Sequence, residues 1–266
     1  MYKIDLEQFK EYTLNFSETY IEEDIIQELI NGGDVFVDNI YSPHIYIMGG
    51  SILFPGAGSH IFIYGDINVD SYNNDFISFI QQRNKKEKVY LYLFSNNFEQ
   101  KCNKLFGNKI IERWNRLTFR LNKKLFNEHI NWRANIPNGY SIVNFDGSSD
   151  EFLLKYGKTK DFWNIESKRF GRVLIKNDID TIVCECFSVF ISGKMVEIGI
   201  DTKEEYRKKG FGFLTSMAFI EYALSCGLEP NWGCWTFNIE SIALAKKLGF
   251  LERSNIKMLS IDINSI

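Results

Sequence analysis

The segment YRKKGFGFL, residues 206 to 214, places three consecutive cations and two glycines at the start of a predicted helix. Gly212 falls inside that helix, where glycine costs about 1 kcal/mol relative to alanine, so we expect a ligand to approach the backbone closely there. Free N–H groups at a helix N-terminus and the helix dipole together favour an anion. The segment therefore predicts a phosphate site formed by the backbone from Lys208 to Gly212 and aided by Arg207.

Two other interpretations of this segment have less support. A nucleic-acid surface should extend along one face with interleaved aromatic residues, but Glu204 and Glu205 precede the cations and the formal net charge is -3. A plain turn explains Gly210 but not Gly212. The phosphate could belong to a nucleotide, yet the chain has no GxxxxGK[ST] and this segment does not match GxGxxG.

The composition predicts a globular cytoplasmic protein. The chain has 266 residues, of which 45% are hydrophobic, and this is enough to bury a core. Its start, MYKIDLEQFKEY, lacks the basic flank and apolar run of a signal peptide, and no apolar stretch approaches the roughly 20 residues that span a bilayer. Acidic residues outnumber basic ones by 34 to 31, so we expect neither a nucleic-acid nor a membrane partner.

The metal-ligating residue types give no support for a metal site. The five cysteines are odd in number and mostly lie in apolar segments, as expected of reduced thiols, and no CxxC pair occurs. The three histidines are scattered, and Cys184 and Cys186 supply only two of the four ligands of a zinc site. We therefore predict no metal.

The hydrophobic pattern predicts two domains of an α/β (α+β) protein, spanning residues 1 to 130 and 131 to 266. Residues 4 to 31 have a helical pattern, and a run of short strands follows. The polar segment from 122 to 139 has mixed charge and ends in Pro-Asn-Gly, a composition typical of a connection between domains. Beyond it, a helix begins at the phosphate segment and stops at Gly227, and a second helix follows with Asn238 as its N-cap and Gly249 beyond its end.

These residues carry a resemblance to a known family. Arg207-x-x-Gly210-x-Gly212, after the strand EIGID, resembles the pyrophosphate motif of the GNAT acetyltransferases, and the helix NIESIALAKKLGF resembles their later helix motif. EIGID, YRKKGFG, PNWGCW and NIESIALAKKLGF are also similar to a two-domain bacterial branch that includes zwittermicin-resistance-type acetyltransferases. The resemblance covers residues 140 to 263.

The resemblance implies a C-terminal GNAT fold with a mixed, centrally splayed sheet flanked by helices. A smaller N-terminal α/β domain would precede it and supply contacts to the acceptor. It also implies acetyl-CoA as cofactor, bound where the strand MVEIGID separates from NWGCW. Main-chain groups near Ile200 and Thr202 would pair with the pantetheine arm, and the Ile200 N–H would polarise the thioester carbonyl. The remaining implied cofactor contacts are Arg207, Lys208, Lys209, Gly210, Phe211, Gly212, Asn238 and Ser241.

Attack on a thioester requires a neutral amine, so a base is useful. Along the strand MVEIGID, side chains alternate between two faces. Glu197, Gly199 and Asp201 lie on one face, and the other face carries Val196, Ile198 and Ile200. Glu197 is the candidate base or anchor for the substrate ammonium, with a structural ion pair as the alternative. Counted from Arg207, however, the position of the family's base falls nearer Val196, an offset that only a bulge would absorb.

The proton donor departs from the family pattern. Many members carry a tyrosine after the leucine of the later helix motif, but here Leu244 is followed by Ala245. The thiolate would therefore leave with water or Ser241 as its partner. An acyl-cysteine route through Cys234 is the weaker interpretation, because a cysteine on an apolar strand between tryptophans is usually inert packing.

The residues and the resemblance together predict a transferase that moves an acetyl group from acetyl-CoA to a primary amine of a small molecule. The alternative is a non-catalytic acyl-CoA-binding regulatory module, which Ala245 favours and Glu197 disfavours. The residues predict no particular oligomeric state.

Overall fold

The computed structural model describes residues 2–5, 33–37, 39–41, 45–50, 59–65, 73–81, 88–93, 96–146, 170–192 and 194–262. The chain packs as two compact units, the first comprising Met1–Arg116 with Ser254–Ile266 and the second comprising Leu117–Arg253. Because compact packing is distinct from autonomous folding, the division into domains near residue 130 stays a prediction.

The elements follow in chain order. The first half of the chain holds β1 (Tyr2–Ile4), β2 (Gly33–Val37), β3 (Ile45–Gly50), β4 (Ser59–Gly65), α1 (Asn73–Gln81), β5 (Val89–Leu93), α2 (Asn96–Phe106) and β6 (Ile110–Leu121). The second half holds α3 (Lys123–Asn127), β7 (Tyr140–Asp146), β8 (Phe170–Lys176), β9 (Thr181–Ser192), β10 (Met195–Thr202), α4 (Phe211–Ser225), β11 (Glu229–Trp235), α5 (Ile239–Lys247) and β12 (Phe250–Ile261). Short 3-10 turns occupy Gly107–Lys109, Trp132–Asn135 and Glu204–Tyr206.

The two units repeat one topology. The first has the strand order β1-β2-β3-β4-β5-β12 and the second has β6-β11-β10-β9-β8-β7. In each, an antiparallel meander leads into a parallel pair, β4 with β5 and β10 with β11, which is joined by a helix. Each sheet therefore contains one β-α-β unit in an otherwise largely antiparallel arrangement, which is the mixed α/β fold predicted.

The first unit departs from the predicted helical start. Ile4 lies in β1, where it pairs with Val35 of β2, so a helix beginning at residue 4 is wrong there. The rest of that predicted helix lies outside the described residues. The core of this unit forms where α1 and α2 pack on β4 and β5, with Phe79 and Phe98 among its buried side chains.

The segment from 122 to 139 is ordered rather than an open connection. Asn122 caps α3 by accepting hydrogen bonds from the N–H groups of Lys124 and Leu125. Phe126 and Trp132 are both buried in the core of the second unit. The polar residues of this segment therefore surround two aromatic anchors, and the segment belongs to the second unit.

The two predicted helices of the second unit are confirmed. α4 ends before Gly227, which has a φ of 75°, and α5 is followed by Gly249 with a φ of 90°. A side chain at Gly249 would also collide with α3, because a Cβ there would lie 2.7 Å from the Phe126 nitrogen. α4 packs on β8, β9, β10 and β11, so its apolar residues form the centre of the core. Within the described part of the chain, no helix combines the length and hydropathy needed to cross a membrane.

Candidate active site

The strands β10 and β11 separate after a short parallel ladder. They pair at Met195 with Glu229, at Val196 with Pro230 and at Glu197 with Asn231. Both strands then continue, β10 to Thr202 and β11 to Trp235, without further pairing to each other. In the first unit, by contrast, all five residues of β5 pair with β4. The second unit therefore contains the predicted central splay.

Backbone groups of β10 point into this splay. The N–H of Lys203 donates to the carbonyl of Val183 on β9 at 3.0 Å. Since N–H directions alternate along a strand, the N–H groups of Ile200 and Thr202 point away from β9, toward the side where β11 has separated. The Thr202 carbonyl agrees with this alternation, because it accepts a hydrogen bond from Nε of Arg207 at 3.0 Å instead of one from β9.

The turn before α4 presents a row of unsatisfied N–H groups. Lys208 and Gly210 adopt φ angles of 61° and 81°, which fold the backbone into a left-handed turn. The first helical hydrogen bond runs from the N–H of Leu214 to the carbonyl of Gly210 at 3.2 Å. In the residues that the structure describes, the N–H groups of 208–213 have no acceptor. Such a turn at a helix N-terminus is an anion-binding arrangement.

Side chains around the turn attach it to the end of β10. Besides its bond to Thr202, Arg207 places Nη2 3.9 Å from Oδ1 of Asp201. Lys209 lies over the ring of Tyr206, with Nζ 5.0 Å from the centroid. The Arg207 guanidinium is half-exposed, so it can reach an anion while it holds the turn in place.

Glu197 lies on the last rung before the strands separate. Its side chain is buried, with 4% exposure, and its Oε2 accepts a hydrogen bond of 2.6 Å from Nδ2 of Asn231. The predicted strand faces are confirmed, because Val196 and Ile198 lie in the core beneath α4. Glu197 therefore points to the opposite face. The β9–β10 register shifts between Glu197 and Ile198, so β9 contributes the extra residue and the alternation along β10 is intact.

Asn238 and Ser241 have structural partners at the start of α5. Oδ1 of Asn238 accepts the N–H of Ser241 at 3.0 Å, which confirms Asn238 as the N-cap. Oγ of Ser241 accepts a hydrogen bond from Nε1 of the buried Trp232 at 3.0 Å. The Ser241 hydroxyl proton is directed elsewhere as a consequence, since the oxygen already accepts. Ala245 is fully buried.

The buried cysteines have the properties of packing residues. Burial raises the pKa of Cys184 to about 11, although a hydrogen bond from Thr202 Oγ1 at 3.1 Å opposes that shift. Burial also raises the pKa of Cys186 well above its ordinary value. Cys234 is buried in β11 within the same core. Among the described residues, no three His, Cys, Asp or Glu side chains are grouped to hold a metal ion.

Sequence reasoning missed two residues of the second unit. Asn231 is the hydrogen-bond partner of Glu197, and its position beside Glu197 depends on the parallel register, which the sequence does not show. Arg172 is buried in β8, and the signal that could have found it is a charged residue inside the apolar run FGRVLI.

The sequence profile of the GNAT acetyltransferase family matches residues 10–259. The chain therefore belongs to the GNAT acetyltransferase family, and the prediction of a GNAT-type acyltransferase is confirmed at that level. It is 25% identical over 224 residues to the uncharacterized N-acetyltransferase YdfB of Bacillus subtilis (strain 168), with 82% of this chain and 81% of YdfB covered.

Solved structures support the same fold. A GCN5-related N-acetyltransferase-like protein from Streptococcus suis 89/1591 matches with a TM-score of 0.67 and 18% identity, covering 96% of this chain and 98% of that one. A tandem GNAT protein from the clavulanic acid biosynthesis pathway matches with a TM-score of 0.69 and 10% identity, covering 98% and 97%. The predicted GNAT fold is confirmed, and the repeated topology of the two units is a tandem GNAT-like arrangement.

Proposed function

We propose that the protein is a cytoplasmic N-acetyltransferase that uses acetyl-CoA and acts on a primary amine of a small molecule. The observation that carries this proposal is the separation of β10 from β11 at the buried Glu197. The same four segments that resemble the zwittermicin-resistance-type branch supply this site, and on that resemblance we propose that the protein belongs to that branch.

The cofactor proposal depends on the turn before α4. Acetyl-CoA would supply an activated acyl thioester. Its pyrophosphate fits the row of N–H groups from Lys208 to Gly212, which have no acceptor in the described chain. A Cβ at Gly212 would make ordinary van der Waals contacts, at 3.4 Å to Leu244 and 3.5 Å to Ile200. Glycine at this position therefore leaves a space, bordered by β10 and α5, into which the ligand can approach the backbone.

The β10 backbone provides the groups that would act on the thioester. The N–H groups of Ile200 and Thr202 point into the splay, where they can bind acyl and pantetheine oxygens. A fixed donor that meets developing negative charge on a carbonyl oxygen contributes roughly 3 kcal/mol to transition-state stabilisation. We assign that role to the Ile200 N–H.

Glu197 would accept the proton of the amine. Its carboxylate lies at the mouth of the splay, on the face opposite α4, and Asn231 fixes the position of one of its oxygens. Counted from Arg207, the position of the family's base still falls nearer Val196 than Glu197. The Val196 side chain cannot accept a proton, however, and it faces the core. Anchoring of the substrate ammonium and a structural ion pair are the alternative roles, and the variants described below distinguish them.

Ser241 or water would return a proton to the leaving thiolate. The Ser241 oxygen accepts from Trp232, which leaves its own proton available for donation. A CoA thiol has an acidity near that of cysteine, so the thiolate is a competent leaving group with weak assistance. The absence of a tyrosine at Ala245 is therefore compatible with turnover.

Release of free CoA from acetyl-CoA in the presence of a panel of primary amines tests the function. Cys226 is exposed and would react with a thiol-detecting reagent, so the assay is best run in a Cys226→Ser chain. Amine-dependent release supports the enzyme. Tight CoA binding without release for any amine would instead establish the rival, a non-catalytic acyl-CoA-binding regulatory module.

A further inference from the structure

A cavity of about 450 Å³ lies against the C-terminal half of α4, within the second unit. Its wall combines apolar side chains, including Ile136, Ile142 and Ala218, with a few polar groups. Tyr222 of this wall lies about 16 Å along the helix axis from Phe211, at a rise of about 1.5 Å per residue. The cavity is therefore separate from the turn proposed to bind phosphate, which precedes Phe211.

Arg172 is a buried charged residue in the wall of this cavity. It projects from β8 with only 7% exposure. Its Nη1 donates to the carbonyl of Gly171 at 2.7 Å, and its guanidinium carbon lies 3.9 Å from the ring centroid of Tyr222. Across the described residues, it has no other hydrogen bond and no carboxylate partner. A guanidinium has five N–H donors, so most of those of Arg172 are left for a ligand.

None of the described residues of the cavity wall balances the charge of Arg172. Glu221 is the acidic residue among the described wall residues, and it is already bound by Arg133 through an Nη2–Oε2 contact of 2.5 Å and by Nε1 of Trp132 at 2.7 Å. That ion pair is neutral as a unit, so the described part of the wall keeps one net positive charge. Asn144 and Ser225, the other polar residues of the wall, are uncharged.

Burial of this cation is unfavourable without an anion. Desolvation lowers the pKa of Arg172, which reflects destabilisation of its charged form, yet a guanidinium stays protonated at neutral pH. A buried charge is normally paired or satisfied by hydrogen bonds. The planar fork of arginine matches two oxygens of a carboxylate or phosphate, and an aromatic ring beneath it leaves that edge open.

We propose that this cavity is a second binding site, for a small organic anion whose carboxylate or phosphate pairs with Arg172 and whose apolar body packs on Trp132 and Ile142. The volume lies within the range of small-molecule sites, about 300 to 1,000 Å³. The proposal is independent of the acetyl-transfer site, since none of the residues assigned to that site line the cavity.

Calorimetric titration with three compounds of similar shape tests the site: benzoate, phenyl phosphate and the uncharged benzamide. Saturating CoA is present throughout to occupy the phosphate turn. We expect at least one of the two anions to bind at least about tenfold more tightly than benzamide, because the charge-assisted hydrogen bonds are lost in benzamide. The tighter anion identifies the preferred head group. Equal affinities, or no binding of either anion at millimolar concentration, would overturn the proposal.

Two variants assign the binding to this cavity. Arg172→Met should lower the affinity for the preferred anion at least about tenfold. The control Arg120→Met removes an exposed arginine 3.5 Å from Glu229 and should leave the affinity for that anion unchanged. If Arg172→Met fails to fold, Ser225→Trp fills the exposed end of the cavity and should abolish binding. Full affinity in either folded cavity variant would show that the anion binds elsewhere, and the proposal would fail.

Discussion

The pair formed by Glu197 and Asn231 is buried at the point where β10 and β11 separate. Both residues stand on the last rung of the parallel ladder, and the hydrogen bond between them fixes one carboxylate oxygen there. A carboxylate in that position can be fixed in orientation and still meet a ligand that enters the splay. Its role is therefore open to direct chemical tests at single residues.

We predict that Glu197→Gln lowers kcat by about 10² to 10⁴, since general-base assistance has that magnitude. The affinity for CoA should stay nearly unchanged, and the pH optimum should move to more alkaline pH because the variant depends on amine that is already neutral. Steady-state kinetics across pH measure kcat and the pH optimum, and calorimetric titration measures the affinity for CoA. Glu229→Gln, in an exposed ion pair on the adjacent strand, is the matched control.

Other outcomes would assign Glu197 a different role. A raised acceptor KM with an unchanged pH profile would make it an ammonium anchor, and a lower Tm with normal kinetics would make it a structural residue. Unchanged rate, profile and stability would leave Asp201 or a water chain as the base, and the assignment to Glu197 would be withdrawn.

The buried thiol of Cys184 predicts an alkaline limit to stability. Burial raises its pKa from 9.0 to about 11. The unfolded thiol ionises at its ordinary pKa while the folded thiol keeps its proton, so the contribution to stability is complete below about pH 9 and is lost as the pH rises through about 11.

Chemical denaturation between pH 8 and 11 measures this loss. The free energy of unfolding should fall in that window, with up to about 1.4 kcal/mol per pH unit from this single thiol. Cys184→Ala should make the slope shallower, with the part that comes from the buried Cys186 remaining, whereas Cys226→Ala, at an exposed position, should leave the slope as in the natural chain. Equal slopes in all three proteins would contradict the assignment.

At the scale of elements, the turn before α4 is the part of the fold that depends most on glycine. Gly210 and Gly227 flank the same helix, with φ angles of 81° and 75° and no atom within 4 Å of an added Cβ at either position. A substitution at either position therefore meets the same backbone strain. Only Gly210 lies in the row of N–H groups proposed to bind phosphate.

We predict that Gly210→Val lowers CoA affinity at least tenfold, because a branched side chain shifts the turn and covers its N–H groups. Gly227→Val should lose a similar amount of stability and keep its CoA affinity. Calorimetric titration and thermal unfolding of both variants provide the comparison. Native affinity in a folded Gly210→Val chain would show that the phosphate binds elsewhere.

The elements that the sequence predicted are those with local signals. Asn238 and Gly249 mark the two ends of α5 within a dozen residues, and the structure places the helix between them. The sequence carries no local sign that β12 would join the sheet of the first unit. This strand pairs with β5 across a long sequence separation, as at Lys257 with Leu93. Pairings of that kind depend on the whole core and not on neighbouring residues.

The same limit applied to the candidate sites. The turn before α4, which we propose to bind phosphate, was recognisable because its glycines and cations lie within seven residues of one another. The partner of Glu197 and the cavity at Arg172 were not, since each needs residues from several elements to meet. In the β8 run, the unusual position of Arg172 was visible in the sequence, but its surroundings were not.

At the scale of the whole molecule, β6 and β12 each run from one unit into the other. The C-terminal part of β12 completes the sheet of the first unit beside β5, and its Leu259 and Ile261 are buried in the core of that unit. Leu251, near the start of the same strand, is 51% exposed. The two leucines of one strand therefore have different environments.

We predict that Leu259→Ala destabilises the protein by about 2 to 5 kcal/mol, through a cavity in the core of the first unit. Leu251→Ala should stay within about 0.5 kcal/mol of the natural chain, as an exposed substitution does. Amide hydrogen exchange should report faster opening of β5 in the Leu259 variant. Unchanged exchange in β5 would show that β12 does not hold that strand in place.

The position of β12 also bears on the order in which the protein can be made. A ribosome delivers β1 to β5 early, but β12, the strand that pairs with β5, follows only after the residues of the second unit. Until then the edge of β5 lacks its neighbour, and exposed edges are where unfinished chains associate with one another. An early stop codon, or proteolysis near residue 257, would therefore damage the half of the protein that was synthesised first.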